Sequence, residues 1–506
     1  MPPEIPAIPA PDPASGPASA PARTRLIVPV LAFCGVVVAV MQTLVVPLLP
    51  HVPELTGAST GAAGWLVTVT LLTGAVFTPV LGRVGDMYGK RRVLLASLGV
   101  LTLGSALCAV TSDIGVLITG RALQGAALAV IPLGISIIRD ELPAERILPS
   151  IALMSSTLGI GAAVGLPLAA VVTENFDWHT MFWASAGLGL LDLLLVLWIV
   201  PESSVRAPGR FDVPGTLGLA AVLVGVLLAI TQGTSWGWTS PLTLGLLGGS
   251  VAVGLLWGVY ELRTSSPILD LRVSGRPAVL LTNLAALFIG FSFYANSLAT
   301  AQLVQEPTST GYGLGASIVV SGLCLLPGGL AMVALSPVSA RISATYGPRT
   351  ALGLAAVVMA LGYGVRVFTT HSLWLIVAGA TVVACGTAIA YSALPALVMR
   401  AVPVSETASA NGLNTLMRSV GQACCSAVVT AVLAHLTFAT AAGGTAPTLH
   451  AYLLIFVIAG GAALAALVAT LLLPSDRPGR DAPRADGRAG GTVAVSPPAS
   501  AARGTA

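Results

Sequence analysis

Apolar runs of about twenty residues, each broken by a short polar or charged loop, recur along nearly the whole chain. Fourteen are counted: residues 26–48, 63–82, 93–111, 114–138, 151–173, 179–200, 213–231, 241–260, 278–301, 314–337, 350–369, 372–398, 407–437 and 451–473. Each is close to the about 20 residues that a helix needs to cross a hydrocarbon layer. The runs are long and rich in Leu, Ala and Gly, and they lack the alternation of barrel strands, so helices are predicted. The predicted fold is an all-α membrane protein of 14 transmembrane helices. The Pro/Ala-rich residues 1–25 and the Arg/Gly/Ala-rich residues 474–506 lack apolar periodicity and are expected to be disordered tails.

The segments between the runs carry a repeat. One reads Gly82-Arg83-Val84-Gly85-Asp86-Met87-Tyr88-Gly89-Lys90-Arg91-Arg92, the other Ala340-Arg341-Ile342-Ser343-Ala344-Thr345-Tyr346-Gly347-Pro348-Arg349. Arg83 and Arg341, Tyr88 and Tyr346, Gly89 and Gly347, and Arg91 and Arg349 are each 258 positions apart, and Thr157-Leu158 keeps that offset from Thr415-Leu416. Spans 1–6 are therefore one half and spans 9–14 the other, two pseudo-symmetric six-helix bundles (26–200 and 278–473), with an inserted helix pair and its linker between them (201–277). Two similar halves in a polytopic protein predict a secondary transporter with its site where the halves meet. Both repeated segments are read as short basic loops, with Gly82, Gly85 and Gly89 permitting a tight turn.

Composition narrows the class. Only 9% of the 506 residues are charged and the mean hydropathy is +0.90, too apolar for a soluble protein of this length. Residues 1–22 hold Glu4 and Asp12 and nothing basic, unlike the charged start of a secretory signal. The six cysteines all fall inside apolar runs without metal or redox spacing, and the five histidines lack ligand spacing, so no metal and no cofactor are expected. No nucleotide-binding loop and no catalytic cluster is present, which argues against ATP drive and against a membrane enzyme. Every Lys and Arg outside the spans falls in the tails or in loops on one side, while the opposite loops hold Glu54, Asp113, Glu174, Asp177 and Glu306. The positive-inside rule then puts both termini in the cytoplasm. Several tryptophans near span ends (Trp65, Trp178, Trp198, Trp236, Trp238, Trp257, Trp374) fit an aromatic belt.

The spacing Gly-x-x-x-Asp-x-x-Gly-Lys-Arg over Gly82, Asp86, Gly89, Lys90 and Arg91, at the junction of spans 2 and 3, resembles motif A of the major facilitator superfamily. The span count with a central extra pair resembles its fourteen-span drug:proton antiporter branch. The resemblance covers residues 26–473. It implies two bundles around a centrally placed cavity that opens alternately to each side, with Asp86 helping to latch the cytoplasmic side. Ala344 replaces that aspartate in the second copy, so only the first latch is intact. Gly120-Arg121-Ala122-Leu123-Gln124-Gly125 in span 4 resembles motif B, whose arginine is implicated in coupling. An arginine in lipid costs several kcal/mol, so Arg121 should face a cavity or a partner, or else snorkel. Gly161 and Gly165 in span 5 form a close-packing face followed by the kink of Pro167, similar to the antiporter motif C. Leu166 and Ala169-Ala170 depart from that motif, and a generic packing face is the other reading.

Span 1 lacks the acidic residue usual in that branch: Met41 or Gln42 stands at its place, before Thr43 to Pro50. The acid deep in a span is Asp192, in Leu190-Leu191-Asp192-Leu193-Leu194. Apolar surroundings disfavour a carboxylate and suit a group that takes up and releases a proton; the other reading is an acid that stays neutral. Asn414, Arg418 and Gln422 share a helix face in span 13 and are read as cavity-lining or as an inter-bundle contact. Gln124 in span 4, and Asn283, Phe291, Tyr294 and Asn296 in span 9, are candidate cavity residues, or packing residues.

The function predicted is proton-coupled efflux of amphipathic small molecules across the cytoplasmic membrane. The alternative is uptake or facilitated diffusion of a polar solute by the same fold. The expected partners are a small-molecule substrate, protons and the lipid bilayer, with no nucleic acid, and the chain is expected to act as a monomer.

Overall fold

Long helices, joined by short connections, account for almost all of the computed structural model, in which residues 22–45, 48, 52–439 and 445–474 are described. The predicted tails lie outside the described residues, apart from residues 22–25, which open the first helix, and residue 474. The membrane-length helices are α1 (Ala22–Thr43), α2 (Thr60–Tyr88), α3 (Lys90–Ala109), α4 (Ile114–Glu141), α5 (Ala144–Asn175), α6 (His179–Ile199) and α7 (Val213–Trp236). They continue with α8 (Pro241–Arg263), α9 (Pro277–Gln305), α10 (Ile318–Ala334, then Ser336–Tyr346), α11 (Pro348–Arg366), α12 (Leu373–Ala401), α13 (Thr407–His435) and α14 (Leu449–Leu471). Among the described residues thirteen helices are long and apolar enough to span, and α10, bent by 44°, makes a fourteenth. Its bend falls just before Pro337, which lacks an N–H and crowds the preceding turn.

Local sequence sets several starts. The side chains of Asp113, Asp212 and Ser240 accept from first-turn amides of α4, α7 and α8 at 2.9, 2.9 and 3.2 Å, offsetting donors that a helix cannot satisfy itself. A small antiparallel hairpin between α13 and α14, β1 (Thr437–Ala439) with β2 (Thr445–Pro447), is not foreseen by the hydropathy pattern. Its strands are too short to give a periodic signal.

The halves repeat in contact pattern as well as in sequence. Helix α1 packs on α5 and α6 as α9 packs on α13 and α14; α3 packs on α4 and α6 as α11 packs on α12 and α14; α2 packs on α4 as α10 packs on α12. Each half has its own apolar core, around Leu31, Leu94 and Ile151 in the first and Ile289, Leu352 and Phe456 in the second. Two seams join the halves, α2 against α13 and α5 against α10, and the 258-residue offset exchanges one seam for the other. Helix α7 touches both α2 and α13, and α8 packs on α7. Leu255 and Leu256 of α8 are 69% and 73% exposed, as befits a helix facing lipid.

The expected basic loops turn out to be nearly absent. Helix α2 runs through Tyr88, a single residue, Gly89, makes the turn, and Lys90 begins α3. Gly347 does the same between α10 and α11. Their φ values, +119° and +84°, lie where a side chain is strained, so one glycine replaces a loop. Gly89→Ala should therefore cost about 1–3 kcal/mol. Thermal unfolding of detergent-purified protein checks this: a clear fall in midpoint is expected, and an unchanged midpoint contradicts the single-residue turn.

Candidate functional site

The Lys/Arg-rich connections define one face of the molecule, called here the basic face, and there the α2–α13 seam is closed. Asp86, fully buried near the end of α2, accepts from the backbone N–H of Ala408 at 3.2 Å and of Ser409 at 2.8 Å. Both donors lie in the first turn of α13, where amides lack helical partners and the helix dipole favours an anion. A Cβ on Gly82 would sit 2.7 Å from the Ala408 carbonyl oxygen, so only glycine allows this approach. Arg139 at the end of α4 donates to the Thr407 hydroxyl at 2.5 Å, adding a second contact across the same seam.

The remaining charges of the motif brace Asp86 from its own half. The Lys90 ammonium is buried, 3.8 Å from Asp86 and 2.6 Å from Asp140, and Asp140 also accepts from the Ser203 hydroxyl at 2.5 Å. The Ala207 N–H donates to the Asp86 carbonyl at 2.7 Å, which ties the linker into α7 to the same residue. Arg91 turns away, donating from its guanidinium to the Leu197 carbonyl at 2.5 Å and from its backbone N–H to Glu202 at 3.2 Å. Ala344 offers no carboxylate at the equivalent place on α10.

The second seam is closed by size rather than charge. Gly159 meets Met332 of α10, and Ala163 meets Gly329. Pro167 contacts Gly322 on that seam. Gly161 and Gly165 face the other way, onto Ala39 and Thr43 of α1, so closely that neither position has room for a Cβ. The small-residue face singled out in the sequence thus packs inside its own bundle, and the neighbouring face at Gly159 and Ala163 makes the seam. A strip with small residues on adjacent faces does not say which face meets which helix.

Arg121 is buried in the first bundle. It donates to the Leu66 carbonyl at 3.0 Å, the Met41 carbonyl at 3.2 Å and the Gln124 side-chain oxygen at 2.6 Å. Gln124 in turn donates to the Ser105 hydroxyl at 2.8 Å. These contacts join α1, α2, α3 and α4. Directly after them, Ala126–Ala129 leaves α-helical geometry for a 3₁₀ turn, a feature that marks hinges or strain within a helix. Asp192 is fully buried in α6, its carboxyl group facing the Cys34 thiol of α1.

In the second bundle, Asn414 donates to Asn283 at 3.0 Å, linking α13 to α9. Arg418 stacks 4.6 Å over the Tyr391 ring and donates to Thr415 at 3.1 Å. Asn296 donates to the Ala380 carbonyl at 3.1 Å and accepts from Arg366. No motif or repeat in the sequence marks Arg366. Its guanidinium also donates to Thr300 at 2.8 Å and lies 4.2 Å over Phe456. Asn296 and Thr300, four apart on α9, are the polar pair that could have flagged it.

Two spaces adjoin the seams. One, ≈ 30 Å³, lies between α5, α9, α10 and α12 and is lined by Asn296, Ala163 and Met332. The other, ≈ 150 Å³, lies between α2, α7, α9 and α13 and includes Tyr294 and Gln422. No charged side chain lines either.

The comparisons with known proteins agree with this architecture. A family model described as Major Facilitator Superfamily matches residues 31–423 and again 280–503. The multidrug resistance protein Stp of Mycobacterium tuberculosis (strain CDC 1551 / Oshkosh) is 29% identical over 424 residues, covering 83% of this chain and 78% of that one. The uncharacterized MFS-type transporter YcnB of Bacillus subtilis (strain 168) is 25% identical over 434 residues, 85% and 90% of the two chains. The crystal structure of the human organic anion transporter MFSD10 (TETRAN) superposes with a TM-score of 0.65 over 90% of this chain and all of that one, at 18% identity, a likeness of fold.

Replacing the Asp86 carboxylate should loosen the basic-face seam. A hydrogen bond to a charged group contributes about 1.5–3 kcal/mol, so Asp86→Asn should shift a closed–open balance by about 10- to 100-fold. The check is maleimide labelling of a cysteine introduced as Ser409→Cys, with and without Asp86→Asn. Faster labelling in the double variant is expected, and equal rates contradict the latch.

Proposed function

Because the chain belongs to the Major Facilitator Superfamily, as a multi-pass, non-enzymatic membrane transporter, we propose that it exports amphipathic small molecules from the cytoplasm. The drive is inward proton movement and the mechanism is alternating access. One observation carries this reading: the seam at the basic face is bridged by the Asp86 carboxylate, whereas space remains between the halves farther along the same pair of helices. A rocking transporter needs a seam that closes through few, reversible polar contacts, and a carboxylate on a helix N-terminus is such a contact.

The basic face is assigned to the cytoplasm by the positive-inside rule, which places both termini there. The bundles 26–200 and 278–473 are the rocking bodies, and 201–277 joins them. The names of Stp and its kind support a drug-like cargo for a chain of this family, and the uncharged lining of the spaces between the halves supports amphipathic molecules over sugars or ions.

Asp192 is assigned the proton. It is a fully buried carboxyl group facing the Cys34 thiol between α6 and α1, in the same bundle as Arg121. An acid so placed changes its protonation only when the bundle admits water, which links proton traffic to conformation. Arg121 has the supporting role of holding α1, α2 and α4 together as that bundle moves.

The test is a drug-susceptibility panel in a pump-deficient host, run with and without a protonophore. Expression should raise tolerance to some amphipathic compounds, and the protonophore should remove that gain. Asp192→Asn should abolish the gain while the protein still reaches the membrane at wild-type level. Unchanged susceptibility throughout the panel contradicts efflux; full tolerance with Asp192→Asn contradicts the proton assignment.

A further inference from the structure

Helix α7 belongs to an inserted pair, yet it is built into the α2–α13 seam. Leu219 and Leu223 pack with Ala75 of α2 and with Leu413 and Leu416 of α13 in one buried apolar cluster. The N-terminus of α7 is fixed by the Asp212 cap and by Trp257 of α8, whose indole N–H donates to the Gly215 carbonyl at 2.8 Å. Toward the opposite face this packing gives way. At Leu227, itself part of that cluster, and at Thr231 the three helices no longer fill the seam, and the ≈ 150 Å³ space opens, with Tyr294 of α9 also in its lining.

Resting on the efflux reading above, we infer that this space is a substrate site whose outer wall is the inserted helix, and that it selects uncharged amphipathic molecules. Its size matches a cavity that holds one aromatic ring, since a dry cavity of about 150 Å³ accepts benzene. Leu71, Leu72 and Leu227 supply apolar surface on one side, and Gln422 and Ser426 of α13 supply amide and hydroxyl groups on the other. The hydroxyls of Thr68, Thr231 and Thr430 add to these, so the wall combines apolar surface with hydrogen-bonding groups and carries no charge, as an uncharged amphipathic molecule requires. Charge is what the pocket lacks. Arg418, one turn before Gln422, is turned onto Tyr391, and no acid lines the space. A cation entering it would lose its hydration without gaining a counter-ion. An uncharged ring-bearing compound with one polar arm meets no such cost.

Because α7 touches both halves, its contact with α2 or α13 must be broken or remade when the halves rock. A bulky side chain in its wall should therefore alter which cargo is carried, and a carboxylate in the pocket should admit cations.

The experiment measures export from cells expressing the full chain, using chloramphenicol as an uncharged single-ring probe and tetraphenylphosphonium as a cation. Wild type should export chloramphenicol at least 10-fold better than tetraphenylphosphonium. Leu227→Trp, which fills the space, should reduce chloramphenicol export at least 10-fold, whereas Leu255→Trp on the lipid face of α8 should leave it unchanged. Gln422→Glu should raise tetraphenylphosphonium export at least 10-fold, a gain that misfolding cannot produce. Wild-type export with profiles unmoved by Leu227→Trp and Gln422→Glu overturns the pocket and leaves the efflux reading standing. Failure of wild type to export any compound of the wider panel overturns both.

Discussion

A single carboxylate, Asp86, bridges the two halves at the basic face by accepting from the first turn of a neighbouring helix. Asp86 reaches across the seam to two first-turn amides of α13, and it does so from full burial. A buried acid without Lys90 beside it and Ala408 and Ser409 above it would be costly to keep charged. The glycine at 82 lets the helices come close enough, Gly89 lets α3 fold back to bring Lys90 into place, and Asp140 holds Lys90 from behind. These residues make one device, and the rest of the basic face is arranged around it.

The duplication explains why the device is single. Two seams related by the internal repeat would each accept a latch, but Ala344 stands where the second carboxylate would be, and the α5–α10 seam closes on Gly159, Ala163 and Met332 instead. One seam thus carries a buried polar contact beside its apolar packing, while the other closes through small residues and Met332. The asymmetry suits a motion in which the α5–α10 side acts as the pivot and the α2–α13 side opens. The inserted helix α7 lies on the α2–α13 side, touching both halves.

Much of this was legible in the chain. Span number, the 258-residue repeat and the segregation of Lys and Arg are long-range, redundant signals, and the helices follow them closely. The repeat pairs Gly89 with Gly347 and reads a basic loop at each, with Gly82 and Gly85 sharing the first turn; instead Gly82 and Gly85 lie within α2 and each turn is a single glycine, because hydropathy does not register helical continuation through charged positions such as Arg83. Less was legible about facing. Gly161 and Gly165 were readable as a close-packing strip, but which helix they pack on depends on bundle geometry that no local pattern encodes. The partners of Arg366 and the wall made by Leu227 and Thr231 were invisible for the same reason: each arises where helices distant in sequence meet.

The central claim is that the halves move as bodies about a seam that Asp86 keeps shut. Electron–electron resonance distances between spin labels at Tyr88→Cys and Val404→Cys, both exposed at the basic face and placed in a background without the six native cysteines, test it most directly. The account predicts one short distance for the latched protein, and a second, longer population that grows when Asp86→Asn is added. A single short distance unaffected by that substitution would contradict it.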